Sequence, residues 1–129
     1  MYQTEFAKVE YLETVNLVLV TWKKFCSEDD YRDVLKEAIR IISSNPGCNY
    51  VADTRTGFEN EVEDAKWVFD VFAPSAHAAG CRHIFFIIDR DNSLKDELEG
   101  QSLELKRYFS VNACFDIDEV KSVIDKTSI

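Results

Sequence analysis

Three carboxylates hold the positions from which this chain could do chemistry. Asp53 closes the apolar run "NYVAD", Asp89 closes "HIFFIID", and Asp91 follows two residues later. If those runs are parallel strands, their C-terminal ends form the edge at which open α/β sheets bind ligands. Hard oxygen donors converging there can hold Mg²⁺, or one of them can accept a phosphoryl group. The competing role is structural, because Asp also caps turns and pairs with Arg, and Arg55, Arg82 and Arg90 are near in sequence. No glycine-rich phosphate loop accompanies the carboxylates.

The other reactive side chains form no recognisable constellation. His77 and His83 are the only histidines, separated by Gly80, and neither falls in a metal-ligand or nucleophile motif. His77 near a helix C-terminus has a structural use, since its charged form complements the macrodipole. Cys26, Cys48, Cys81 and Cys114 are widely spaced, without CxxC or zinc-ligand spacing. Cys48 and Cys81 immediately precede apolar runs, which predicts buried, reduced thiols and a cytoplasmic setting. The composition points to no cofactor.

The elements that must position these groups follow from periodicity. "FAKVEYLE" alternates and "VNLVLVTW" is nearly all apolar, which predicts a β-hairpin. Ser27, followed by Glu28, Asp29 and Asp30, offers the start of a helix that buries Tyr31, Val34, Leu35, Ala38, Ile41 and Ile42, and "SSNPG" stops it. A strand ends at Asp53, a helix runs from about Glu61 to Ala79, and "RHIFFIID" is the next strand. Part of "LKDELEGQSLELKRYF" reads as helix, "SVNACF" as a last short strand, and "DIDEVKSVIDK" as a helix capped by Asp116 with Ile117, Val120 and Ile124 inward. The order β-β-α-β-α-β-α-β-α predicts one α/β domain over residues 1–129, a mixed sheet of about five strands with helices packed on it.

The helix from Glu61 to Ala79 is apolar on two sides. Val62, Ala65, Phe69, Phe72, Ala76 and Ala79 make a stripe that should face the sheet. Trp67, Val71, Pro74 and Ala78 make another on nearly the opposite side. Either a second helix covers that side or it is a surface for a partner. Pro74 predicts a kink or an early end to the helix. The many phenylalanines, among them Phe69, Phe72, Phe85, Phe86, Phe109 and Phe115, suit an ordinary packed core and equally a pocket for a hydrophobic ligand.

The element order resembles the STAS domain, the fold of bacterial anti-sigma-factor antagonists, and specifically small stand-alone SpoIIAA-like proteins. Trp22, Asp53, Trp67, "AAGCRHIFFII" and "FDIDEVKSVI" carry the resemblance. It implies a regulatory module that binds protein. In the antagonists, a Ser about nine residues beyond the strand-end Asp accepts a phosphate. Counting from Asp53 reaches Val62, flanked by Glu61 and Glu63, so this chain has no hydroxyl at that place. Thr54 and Thr56 lie earlier in the loop as turn hydroxyls.

Charge and hydropathy narrow the partners. A net charge of −9 without a basic stripe makes nucleic acid a poor partner. The apolar runs "VNLVLV" and "IFFII" are far shorter than the roughly 20 residues of a membrane span, and no signal peptide is visible. The leading expectation is therefore a non-catalytic cytoplasmic STAS-like module that binds another protein or itself, as a homodimer, through Trp67, Val71 and Pro74 with Thr54, Thr56 and Phe58 of the adjoining loop. A carrier of a small hydrophobic ligand or lipid is the alternative. A Mg²⁺-dependent phosphoryl site at Asp53, Asp89 and Asp91 is the third reading.

Overall fold

The computed structural model describes residues 2–24, 28–55, 62–88 and 105–127. Its centre is a mixed sheet of six strands: β1 (Tyr2–Gln3), β2 (Ala7–Leu12), β3 (Leu17–Trp22), β4 (Asn49–Asp53), β5 (His83–Ile87) and β6 (Ser110–Cys114). The strands lie side by side in chain order. The first two pairings are antiparallel and the remaining three parallel. The sheet has one strand more than the expected five, because two residues at the N-terminus pair with β2. Too short to show alternation, such a strand leaves no periodic signal in sequence.

The hairpin forms as expected, with Val9 opposite Val20 and Tyr11 opposite Val18. Its turn is a single 3₁₀ turn, Glu13–Val15, closed by Asn16 in the left-handed region at φ 49°. Asn tolerates that conformation because its short polar side chain bonds locally. Here it accepts from the Tyr11 hydroxyl at 2.8 Å and donates to the Pro46 carbonyl at 3.1 Å. The Asn49 N–H donates to the Asn16 carbonyl at 2.9 Å, so one residue ties the hairpin to the start of β4.

Parallel strands joined in chain order by right-handed crossovers place their connecting helices on one face. Helix α1 (Glu28–Ser44) and the pair α2 (Val62–Trp67) and α3 (Ala73–Ala78) pack there, against a core that includes Val18, Val20, Tyr50, Ile84 and Phe86. Helix α4 (Ile117–Thr127) follows the last strand and covers the other face, where Val120 and Ile124 meet Leu17, Val51, Phe85 and Ile87. Strand β4 is buried along its whole length, as expected for a parallel strand covered on both faces. The expected helix in the connection between β5 and β6 lies largely outside the described residues.

Helix α1 buries Tyr31, Val34, Leu35, Ala38, Ile41 and Ile42, the face its periodicity predicts. Asp116 caps α4 by accepting from the Glu119 N–H at 2.8 Å, and Glu119 reaches back to the Phe115 N–H at 3.0 Å. Between α2 and α3 the chain makes a π turn, Val68–Phe72, with the Ala73 N–H bonded to the Val68 carbonyl. Pro74 accounts for it: lacking an N–H, it cannot continue the ladder and sits instead in the first turn of α3. The predicted helix is thus neither ended nor continuous; it is re-registered by one residue.

Gly80, at φ 108°, turns the chain from α3 into β5, and a Cβ there would lie 3.3 Å from the Gly47 nitrogen. The loops before β4 and β5 therefore approach closely at the N-terminal edge of the parallel strands. Cys48 and Cys81, buried beside that contact, are free thiols, as is Cys114. Burial pushes Cys48 up to about 12 and Cys81 and Cys114 up to about 11, so none is poised as a thiolate. Cys26 lies outside the described residues.

Candidate functional site

At the opposite edge, where the parallel strands end, Asp53 is committed to its own loop. Its Oδ1 accepts from the Arg55 backbone N–H at 3.1 Å and from Arg55 Nε at 3.0 Å, and Oδ2 accepts from Nη2 at 2.8 Å. This is an Asx turn reinforced by a bidentate guanidinium, a geometry Arg favours with carboxylates. A cation at Asp53 would have to displace that guanidinium. Asp89 and Asp91, the other carboxylates of the metal reading, lie outside the described residues. Among the described residues, no three His, Cys, Asp or Glu side chains converge to hold a metal ion.

Thr54 is sealed from solvent, and both its N–H and its hydroxyl donate to the Ile87 carbonyl, at 2.9 and 2.8 Å. It anchors the base of the loop and carries the β4–β5 ladder one step further. Thr56 and Phe58 lie outside the described residues, as do Ser27 and the side chains of Val62 and Ala65.

The two sides of the α2–α3 segment divide less simply than a stripe and its opposite. Phe72, Ala73 and Ala76 are buried, with Phe72 edge-on to Tyr50 at 5.0 Å. Phe69 and Ala79 are partly buried against the same core. Trp67 is also partly buried there, and the Arg32 guanidinium of α1 lies over its ring, 6.0 Å from the centroid. Val71, by contrast, is 41% exposed. Pro74 is intermediate and Ala78 exposed. The neighbouring helix thus covers part of Trp67, whereas on the outer line Val71 and Ala78 are exposed and Pro74 is half-buried.

Arg32 is held over Trp67 by Asp64, a residue that no motif or spacing singles out. Asp64 is 1% exposed, and both its carboxylate oxygens accept from the Glu28 N–H at 3.1 Å. Oδ1 also accepts from Arg32 Nε at 3.2 Å. A side chain of α2 therefore satisfies the first turn of α1, where unpaired N–H groups and the positive end of the macrodipole attract an anion. Glu28 itself sits at φ 54°, a conformation uncommon for a residue with a Cβ. Within "ENEVED", Asp64 looks like one more solvated acid, so only the contact between helices reveals its role.

The two histidines are not brought together. His77 on α3 packs against Tyr108 and Phe109, at 5.5 and 6.2 Å between centroids. Its carbonyl accepts from Arg82 Nη1 at 3.1 Å, which helps close the helix C-terminus. His83 shares the other sheet face with Phe85, 6.4 Å away.

Comparison with protein-family models, with curated proteins and with solved structures gives no match to this chain. No helix among the described residues is long and apolar enough to cross a membrane. The site is accordingly read from its own geometry: one carboxylate neutralised by a guanidinium, buried thiols held protonated, and an open apolar line on the helix layer.

Proposed function

We propose that this chain is a cytoplasmic STAS-like protein-interaction module of bacterial type, which acts by binding protein, a second copy of itself included, and has no reaction of its own. The observation that carries the reading is the outer line of the α2–α3 segment, where Val71 stands exposed beside a Trp67 that α1 only partly covers. An aromatic edge bordered by an exposed aliphatic side chain is the kind of anchor protein interfaces use. The chain-order sheet, with two helical crossovers on one face, α1 and the α2–α3 pair, and a closing helix on the other, is compatible with the STAS-like resemblance. Thr56 and Phe58, which the sequence reading adds to this surface, lie outside the described residues.

A native mass spectrum of the freshly purified chain tests the reading. Assemblies composed of protein mass alone are the expected result. A monomer that reproducibly retains a non-protein mass overturns it, in favour of a hydrophobic-ligand carrier or a metal site. Val71→Glu is the cleaner probe of the surface than any change at Trp67, since Trp67 also packs on the core. The variant should melt like wild type and lose a bound partner protein.

A further inference from the structure

We infer that a second copy of this chain pairs with it edge to edge through β6, antiparallel about a two-fold axis at Asn112. The inference takes from the proposal above only that a copy is among the partners; it assigns that copy a surface other than the helix line. The two edges of the sheet are treated differently. At one edge β1 is two residues long and gives way to a turn in which Thr4 Oγ1 accepts the Phe6 and Ala7 N–H groups at 3.1 and 3.2 Å. Short edges of this kind block further pairing. At the other edge β6 is five residues, "SVNAC", with no charge, proline or glycine.

Its hydrogen bonds show which groups remain. Ser110 N–H donates to the Arg82 carbonyl, and the Cys114 carbonyl accepts from Ile88, so Ser110, Asn112 and Cys114 face β5. By alternation, Phe109, Val111, Ala113 and Phe115 face outward. The Phe109 N–H is satisfied by the Leu105 carbonyl at 3.0 Å and the Phe115 N–H by Glu119 Oε2 at 3.0 Å. Val111 and Ala113 are left between these closed ends, with outward N–H and C=O groups that pair with nothing among the described residues. An antiparallel copy centred on Asn112 sets Val111 opposite Ala113 of the second copy, each giving an N–H and receiving one, twice over by symmetry.

Charge selects the same orientation. Lys106 and Arg107 are exposed just before the strand, and Asp116 and Asp118 just after it. The two-fold register carries Lys106 toward Asp118 of the second copy, and Tyr108, 37% exposed, toward Asp116 of the second copy. A parallel pairing would instead set cation against cation. For a chain of net charge −9, the uncharged strand is also where a copy approaches with least repulsion.

The test is sedimentation of the full chain over a range of concentrations, with Ala113→Pro as the key variant. Proline at an outward edge position removes only the outward donor and leaves the β5 ladder intact. Wild type should sediment as a concentration-dependent dimer, and Ala113→Pro should associate at least ~10-fold more weakly. Lys106→Glu should weaken the dimer, and adding Asp118→Lys should restore it. A monomeric wild type, a dimer unaffected by Ala113→Pro, or no restoration by the paired reversal overturns the inference. If Val71→Glu dissociates the dimer and Ala113→Pro does not, the edge is wrong and the helix line stands. Should Ala113→Pro fail to fold, hydrogen exchange in wild type decides. Protection of the Val111 and Ala113 N–H groups that disappears on dilution supports the pairing, and fast exchange at every concentration refutes it.

Discussion

Replacing Asp64 with alanine removes an anion on which two helices depend. The carboxylate is 1% exposed and takes the Glu28 N–H and Arg32 Nε at 3.1 to 3.2 Å. Losing the cap on α1 costs about 1 kcal/mol. Losing the charge-assisted bond to Arg32 costs about 1.5–3 kcal/mol. Arg32 is 29% exposed at its side chain and can turn back to water, so the lower end of that range applies. The sum is about 2.5 kcal/mol, or a fall in Tm of about 10 °C for a chain of this size.

Asp64→Asn keeps an acceptor for the Glu28 N–H and should cost about half as much. Arg32→Ala strands the buried carboxylate against the helix terminus and should cost about 2 kcal/mol. Urea titrations of Asp64→Ala, Arg32→Ala and the double variant then give a coupling of about 1–2 kcal/mol. If Asp64→Ala unfolds within about 0.5 kcal/mol of wild type, or the coupling is nil, the assignment of Asp64 as the cap of α1 is refuted.

Two further expectations concern the opposite edge and the thiols. Gly80→Ala places a Cβ at φ 108° and 3.3 Å from the Gly47 nitrogen, and should cost about 2 kcal/mol by thermal melting; a neutral result would mean the two loops separate easily. Below about pH 9 the described cysteines are protonated whether the chain is folded or not. Above it the unfolded chain ionises while Cys48 holds its proton to about 12 and Cys81 and Cys114 to about 11. The unfolded state then binds fewer protons, so stability is full below pH 9 and falls from there toward pH 11 to 12, by about 1.4 kcal/mol per pH unit for each thiol. Tyr50, buried and pushed well above its ordinary value, adds to the fall at higher pH. Melting curves across that window check the slope, and a native chain in which Cys48, Cys81 or Cys114 reacts readily with a thiol reagent at pH 8 contradicts it.

Much of the fold was legible because burial and periodicity are local in this chain. The hairpin, α1 with its six buried residues, the fully buried β4 and the capped α4 each follow from a pattern within one element. The sequence also set which residues could carry chemistry: it showed carboxylates at strand ends and cysteines before strands. The tertiary structure decided what those residues do. Arg55 folds back onto Asp53, Thr54 is sealed against Ile87, and Asp64 turns inward from an acidic run to cap a helix 36 residues earlier in the chain. Whether a carboxylate faces water, a cation or a helix terminus depends on which other element lies beside it, and that neighbour is distant in sequence. The β6 edge, unpaired among the described residues, has the same origin. Five uncharged residues read as a strand in isolation, and only the strand order leaves Val111 and Ala113 facing outward.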